Sequence, residues 1–246
     1  IILIAFAAFV ILRTHAFHKK RSSKREKSST LLSNQSFQVI ESCNTEIRKS
    51  IVNVSKILFL AFTSFANENL KDLKKNKKEA KKLRNEIQEI KDELPLTLRK
   101  FQETEIESGH YYVQLVDHLK ETSNSLYHIV TPAFNHVNNN HPLDKEQAKE
   151  LKGFNEQLND FFNYALNLLQ KGSFENVDEL SQRRDEIIDL INDIILHRIK
   201  ILKKKQKGVN VSIKYIEMLT ETKNLILHIV QVLKANKMLS DSLYET

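Results

Sequence analysis

The residues most able to do chemistry lie in two copies of one stretch of sequence. The segments YYVQLVDHLKETSNSLYHIV (111–130) and VSIKYIEMLTETKNLILHIV (211–230) align without a gap at an offset of 100 residues and share seven identical positions. Each copy carries two acidic residues, an amide and an imidazole at the same spacing. These candidate ligands are Asp117, Glu121, Asn124 and His128 in the first copy and Glu217, Glu221, Asn224 and His228 in the second.

The spacing places the four polar side chains of each copy on one side of a helix. At about 100° per residue they fall within about 60° of one another. Two carboxylates one turn apart can supply oxygen ligands to a hard cation, and the imidazole extends the choice to iron, manganese or zinc. A polar stripe opposite an apolar one is also typical of a solvated face or of a contact with another bundle or partner. The residues alone leave both interpretations open.

The composition favours long helices as the elements that hold these residues. Among 246 residues there are only 4 Gly, 3 Pro and 1 Cys, which disfavours strand-and-turn folds and glycine-loop nucleotide folds. The single cysteine, Cys43, excludes an internal disulfide, and its place on an apolar helical stripe predicts a core position. No glycine-bearing turn is present that would expose a nucleophilic serine. The sequence therefore indicates a non-enzymatic, all-α protein.

Apolar residues recurring every three or four positions predict six helices in two groups of three. Pro95 should kink or interrupt the second helix, Pro132 should kink the third, and Asp144 should cap the fourth. The turn-like Asn138–Pro142 separates the two groups, and each group ends with one copy of the repeat. This organisation predicts a tandem pair of three-helix bundles, at 28–141 and 142–246. The predicted helices span about 40–65, 69–100, 103–137, 144–171, 174–203 and 209–238.

The first residues have the composition of a membrane segment. Ile1–Leu12 is uninterrupted and apolar, and residues 13–27 hold seven basic residues against one acidic residue, a net charge of +6. Because a spanning helix needs about 20 apolar residues, we expect 1–12 to be the end of a transmembrane helix that begins outside this sequence. The positive-inside rule then places everything after about residue 13 in the cytoplasm, with 13–27 near lipid headgroups. The alternative is a buried core helix.

The charge pattern argues against nucleic-acid binding. The chain carries +7 overall, so that outside 13–27 it is close to neutral. One further basic segment, 71–84, holds eight basic residues against two acidic residues. Such a run is typical of a solvated face and less often of a lipid or partner contact.

Other histidine-containing patterns are weaker. Glu107-x-x-His110 is half of a di-iron motif, and the sequence has no second copy of it. His136 and His141 flank an asparagine-rich stretch that suits a turn better than a metal site. A di-iron metalloenzyme would need an inward-facing cluster of carboxylates that these patterns do not provide.

The duplicated acidic motif resembles that of PhoU domains. The pairs Asp117-x-x-x-Glu121 and Glu217-x-x-x-Glu221 are similar to the repeated acidic motif of that family, with Glu at 121 and 221 where the usual form has Asp. Across residues 1–240 the chain resembles the PhoU-like cytoplasmic tails of PiT-family inorganic phosphate transporters of Bacteroidetes-type bacteria. The similar segments are SGHYYVQLVDHLKETSNSLYHI, FNHVNNNHPL and LTETKNLILHIVQVLK.

The resemblance implies a regulatory domain of a multi-pass inner-membrane phosphate transporter or symporter. Its partners would be the transporter's own membrane domain and, in a homo-oligomer, a second copy. It further implies a divalent or ferric metal at Asp117, Glu121, Glu217 and Glu221, with Asn124, His128, Asn224 and His228 as additional candidates. The transport chemistry would lie in the membrane domain, so this chain should transport nothing alone. The alternative is a helical module that binds metal, dimerises or anchors another membrane protein without a role in phosphate transport.

Overall fold

The computed structural model describes residues 38–101, 105–141, 143–171, 176–204 and 209–242. These residues form seven α-helices and no strands, which confirms the predicted all-α class. The membrane segment and basic stretch predicted at 1–27 lie outside the described residues. The helices are α1 Gln38–Ala66, α2 Leu70–Asp92, α3 Leu94–Leu98, α4 Ile106–Asn138, α5 Lys145–Lys171, α6 Val177–Lys204 and α7 Val209–Asp241.

Caps and prolines set the helix boundaries. The side chain of Asn69 accepts a hydrogen bond from the backbone N–H of Asp72 at 3.2 Å, which begins α2. Pro95 lies in the first turn of α3, where a missing N–H is tolerated, and so α2 ends at Asp92. What the sequence predicts as one interrupted helix is therefore two helices.

The predicted turn between the two groups of helices is confirmed. Asn140 adopts a left-handed backbone conformation, with φ 55°, directly after α4. The carboxylate of Asp144 then accepts from the N–H of Gln147 at 2.7 Å, and the side-chain oxygen of Gln147 accepts from the N–H of Asp144 at 3.1 Å. This reciprocal capping box starts α5 as predicted. Pro132 lies inside α4, which continues through it.

Buried apolar residues from both groups of helices form one continuous core. Phe62 of α1 packs edge-on against Phe154 of α5, with ring centroids 5.7 Å apart, so the first helix contacts the first helix of the second group. Phe65 of α1 packs in the same way on His136 of α4, at 5.1 Å. The predicted α1 stripe is buried at Ile40, Ile47, Ile51, Val54, Leu58, Phe62 and Phe65, and Cys43 packs against it.

Of the described helices, α1 alone is long and apolar enough to cross a membrane by length and composition. Half of its most apolar window is buried inside the fold. Core helices of globular proteins pass the same test, so this property is weak support for a membrane span.

Candidate functional site

The duplicated helices α4 and α7 pack against each other in antiparallel orientation. The hydroxyls of Ser108 and Ser242 are hydrogen bonded at 2.8 Å, and the Nδ1 atoms of His118 and His228 lie 3.4 Å apart. Residue numbers therefore rise along α4 as their partners' numbers fall along α7. The two copies of the repeated motif meet at one place, which we call the repeat junction.

The two copies also share their local backbone contacts. The hydroxyl of Thr122 donates to the carbonyl oxygen of His118, and that of Thr222 donates to the carbonyl oxygen of Met218, both at 2.8 Å. Both threonines are fully buried. Because a buried hydroxyl needs a partner, this contact to the preceding turn lets the identical Thr pair face the core.

The centre of the repeat junction is the pair of imidazoles of His118 and His228. Their ring centroids are 5.7 Å apart and the rings are tilted by 36°. Burial lowers the pKa of both histidines, and the neighbouring charge of His228 lowers the pKa of His118 further. In the repeat, His118 corresponds to Met218, and His228 corresponds to His128. The close imidazole pair of His118 and His228 is therefore not duplicated by the repeat.

The charges of two predicted carboxylates act on this imidazole pair. The charges of Glu121 and Glu221 both act to raise the pKa of His228, against the effect of burial. Glu121 also accepts a hydrogen bond from the side-chain amide of Asn124 at 3.3 Å. The amide oxygen of Asn124 is itself buried and has no hydrogen-bond partner among the described residues. The junction therefore gathers Glu121, Glu221, Asn124 and His228 from the predicted set.

Of the remaining predicted residues, Asp117 also acts on the imidazole pair, because its charge raises the pKa of His118 against the effect of burial. Asp117 forms an ion pair with Lys91 of α2 at 2.9 Å, and this contact raises the pKa of Lys91. Glu217 forms an ion pair with Lys214 of its own helix at 2.6 Å. His128 is exposed, and Asn224 is partly buried.

His118 is the residue of the junction that the sequence analysis missed. It follows Asp117 directly and is not repeated, because the second copy has Met218 at that position. Its partner His228 belongs to the repeat. An antiparallel pairing of the two copies would have placed position 118 opposite 228, but the sequence carries no sign of how α4 and α7 pack.

The arrangement does not fit the metal cluster that the resemblance implies. Among the described residues, no group of three or more His, Cys, Asp or Glu side chains is arranged to hold a metal ion. Asp117 and Glu217 are each paired with a lysine instead. The metal site stays a prediction, and the mechanism proposed below uses no metal.

A cavity of about 470 Å³ lies between α1, α2, α3 and α4. It is lined by Cys43, Glu93, Thr97 and Tyr112 among others. Burial raises the pKa of Cys43 to about 12 and that of Tyr112 to about 12. Both groups are therefore protonated near neutral pH, and the thiol is not an activated nucleophile.

No protein-family model matches the chain, and no curated protein matches it significantly. Chemically, the junction is a half-buried, charge-sensitive contact between two copies of one helix.

Proposed function

We propose that this chain is a PhoU-like cytoplasmic regulatory domain of an inorganic phosphate transporter, where it controls or couples phosphate uptake across the membrane. In this proposal the chain is a tandem pair of three-helix bundles and follows the last transmembrane helix of the transporter. The observation that carries the proposal is the repeat junction, where His118 of α4 and His228 of α7 come within 3.4 Å between the two copies of the repeated motif. The resemblance of these motifs to those of PhoU domains supplies the connection to phosphate.

The proposed mechanism is a change in docking. Glu121, Glu217 and His128 are exposed on the two duplicated helices. Cytoplasmic loops of membrane proteins are rich in Lys and Arg, so exposed carboxylates complement the surface that the transporter presents. A regulator changes transport only if it binds one transporter state more tightly than the other. A tenfold difference in affinity corresponds to about 1.4 kcal/mol, which two or three charged contacts can supply.

The repeat junction is placed to connect the two halves of the domain. A change in charge there acts on α4 and α7 together, because the Nδ1 atoms of His118 and His228 lie 3.4 Å apart and a carboxylate from each helix acts on the pKa of His228. A shift of α7 on α4 would alter the surface that both halves offer to the transporter. In this mechanism, the phosphate supply of the cell changes how α7 packs on α4.

The test is phosphate uptake by cells that express the chain joined to the membrane domain that we propose precedes it. Glu121→Gln and Glu221→Gln, made together, remove both charges that act on the pKa of His228 and keep the shape of the side chains. We expect a changed uptake rate, or a changed response to phosphate supply, at an equal amount of transporter in the membrane. The matched control is Glu156→Gln with Asp160→Asn, which removes two exposed negative charges from α5.

Uptake that is unchanged both by the double substitution and by deletion of residues 38–242 would refute the proposal and favour an anchoring module. Metal content of the purified proteins, measured by mass spectrometry, tests the ligand prediction separately. A stoichiometric ion that is lost from the Glu121→Gln, Glu221→Gln protein would assign a metal to the junction. If the purified protein is folded but contains no metal, regulation would depend on docking through protein contacts alone.

A further inference from the structure

The exposed side of α2 carries a row of lysines that we call the lysine stripe. It consists of Lys71, Lys74, Lys75, Lys78, Lys81 and Lys82, all of them exposed. At about 100° and 1.5 Å per residue, the six positions fall within about 120° of arc and about 17 Å of helix length. The opposite side of α2 is buried in the core through Leu73, Asn76, Ala80, Leu83 and Ile87. The lysine stripe therefore points directly away from the protein.

The structure gives the lysine stripe almost no internal partners. Lys82 forms a 3.5 Å ion pair with Glu86, and both side chains are largely exposed. Within the described part of the chain, no ion pair or hydrogen bond involves the other five side chains. Of the two acidic residues in the same segment, Asp72 is hydrogen bonded to the side chain of Asn69.

The two other basic residues of segment 71–84, unlike the lysine stripe, contact aromatic rings of the fold. Lys77 lies over the ring of Phe134 at 4.7 Å, and Arg84 lies over the ring of Tyr127 at 5.0 Å. Both rings belong to α4, so these two cations help α2 to pack on α4. Among the described residues, no aromatic ring lies under a side chain of the lysine stripe.

The lysine stripe is unfavourable for the isolated helix. Its members are neighbours at spacings of three and four residues, where like charges repel. Lys71, Lys74 and Lys75 also lie near the N-terminus of α2, where the helix dipole disfavours positive charge. Six exposed charges, of which five have no ion pair within the described residues, destabilise their own helix and are suited to an external anionic surface.

We propose that the lysine stripe binds the anionic headgroups of a membrane surface, with α2 lying parallel to the bilayer. A stripe along the side of a straight helix matches a plane, because all six ammonium groups reach it together. Lysine is suited to lipid phosphates as a hydrated point charge, whereas nucleic-acid sites add arginine forks and aromatic side chains for stacking. The sequence of α2 contains no aromatic residue. The apolar and basic composition of residues 1–27 also favours a membrane as the nearby anionic surface.

The test is binding of the full chain to vesicles of phosphatidylcholine with and without phosphatidylserine, by cosedimentation at near-physiological salt. Each lysine near an anionic surface contributes about fivefold to binding. Lys74→Gln, Lys75→Gln and Lys78→Gln together should therefore weaken binding to the anionic vesicles about 100-fold. Binding to neutral vesicles should not change, which separates the lysine stripe from any insertion of the apolar residues.

The matched control is Lys145→Gln, Lys149→Gln and Lys152→Gln on α5, which removes the same charge from three exposed lysines. We expect this control, and a Lys→Arg version of the α2 triple variant, to bind as the wild type does. The single variant Lys78→Gln, with about a fivefold loss, provides a second measurement if the triple variant has altered helicity. Equal losses in the α2 and α5 variants, or no loss in either, would overturn the proposal. Tighter binding to RNA than to anionic vesicles at equal salt would also overturn it, in favour of a nucleic-acid surface.

Discussion

The buried guanidinium of Arg198 makes Glu150→Ala a strongly destabilising substitution. The Arg198 side chain is only 2% exposed, and its Nε and Nη2 atoms donate to one carboxylate oxygen of Glu150 at 3.1 and 2.9 Å. The hydroxyl of Tyr215 donates to the same oxygen at 2.9 Å. One carboxylate therefore joins α5, α6 and α7.

The cost of Glu150→Ala depends on which partners the guanidinium of Arg198 would keep. Removal of one partner from a buried ion pair costs about 3–5 kcal/mol, because the other charge is left without compensation. Nη1 of Arg198 keeps longer contacts to the exposed carboxylates of Asp144 at 3.6 Å and Glu146 at 3.7 Å. These contacts offset a part of the loss, so we expect a cost of about 3 kcal/mol. Glu86→Ala, which breaks the exposed pair with Lys82, should cost less than about 0.5 kcal/mol.

The assay is urea unfolding followed by circular dichroism, from which the free energy of unfolding is obtained for each variant. The double variant Arg198→Met, Glu150→Leu fills the same space with apolar groups and leaves no buried charge. Its cost should be well below the sum of the two single substitutions. A cost below about 1 kcal/mol for Glu150→Ala, or additive costs in the double variant, would refute the assigned role of this ion pair.

Three further predictions follow from burial. The pKa of His136 is lowered from 6.5 by burial first and then by the charge of His141, so the fold favours the neutral ring and the unfolded chain binds the proton more readily. The contribution of His136 to the free energy of unfolding should therefore be complete above pH 6.5 and decrease as the pH drops below it. Urea unfolding at several pH values should show a weaker pH dependence for His136→Gln than for the wild type. Because burial raises the pKa of Cys43 from 9.0 to about 12, iodoacetamide should alkylate native protein about 1000-fold more slowly than urea-unfolded protein at equal pH, and equal rates would contradict this. Phe154→Ala should cost about 3–5 kcal/mol by denaturant unfolding, with one transition rather than two, because Phe154 joins the halves through Phe62.

The helices and their ends could be predicted from the sequence to within a few residues. Apolar periodicity, the Asp144 cap and the Asn-rich turn are local signals, and each acts through neighbours along the chain. Pro95 separates α2 from α3 for the same local reason. The candidate site was predicted in part, because the repeat identified Glu121, Glu221 and His228 but not His118.

By itself, the sequence determined the all-α class, the helix boundaries and the duplication of α4 in α7, since these depend on residue spacing within one segment. Only the tertiary structure decided that α4 and α7 pack antiparallel, which brings His118 to His228 and leaves Asp117 with Lys91. It likewise decided that Arg198 is buried among residues of α5 and α7 while the lysines of α2 face outward. These outcomes depend on contacts between residues far apart in sequence. The angle and register at which two helix surfaces interlock carry no signal in the periodicity of either helix.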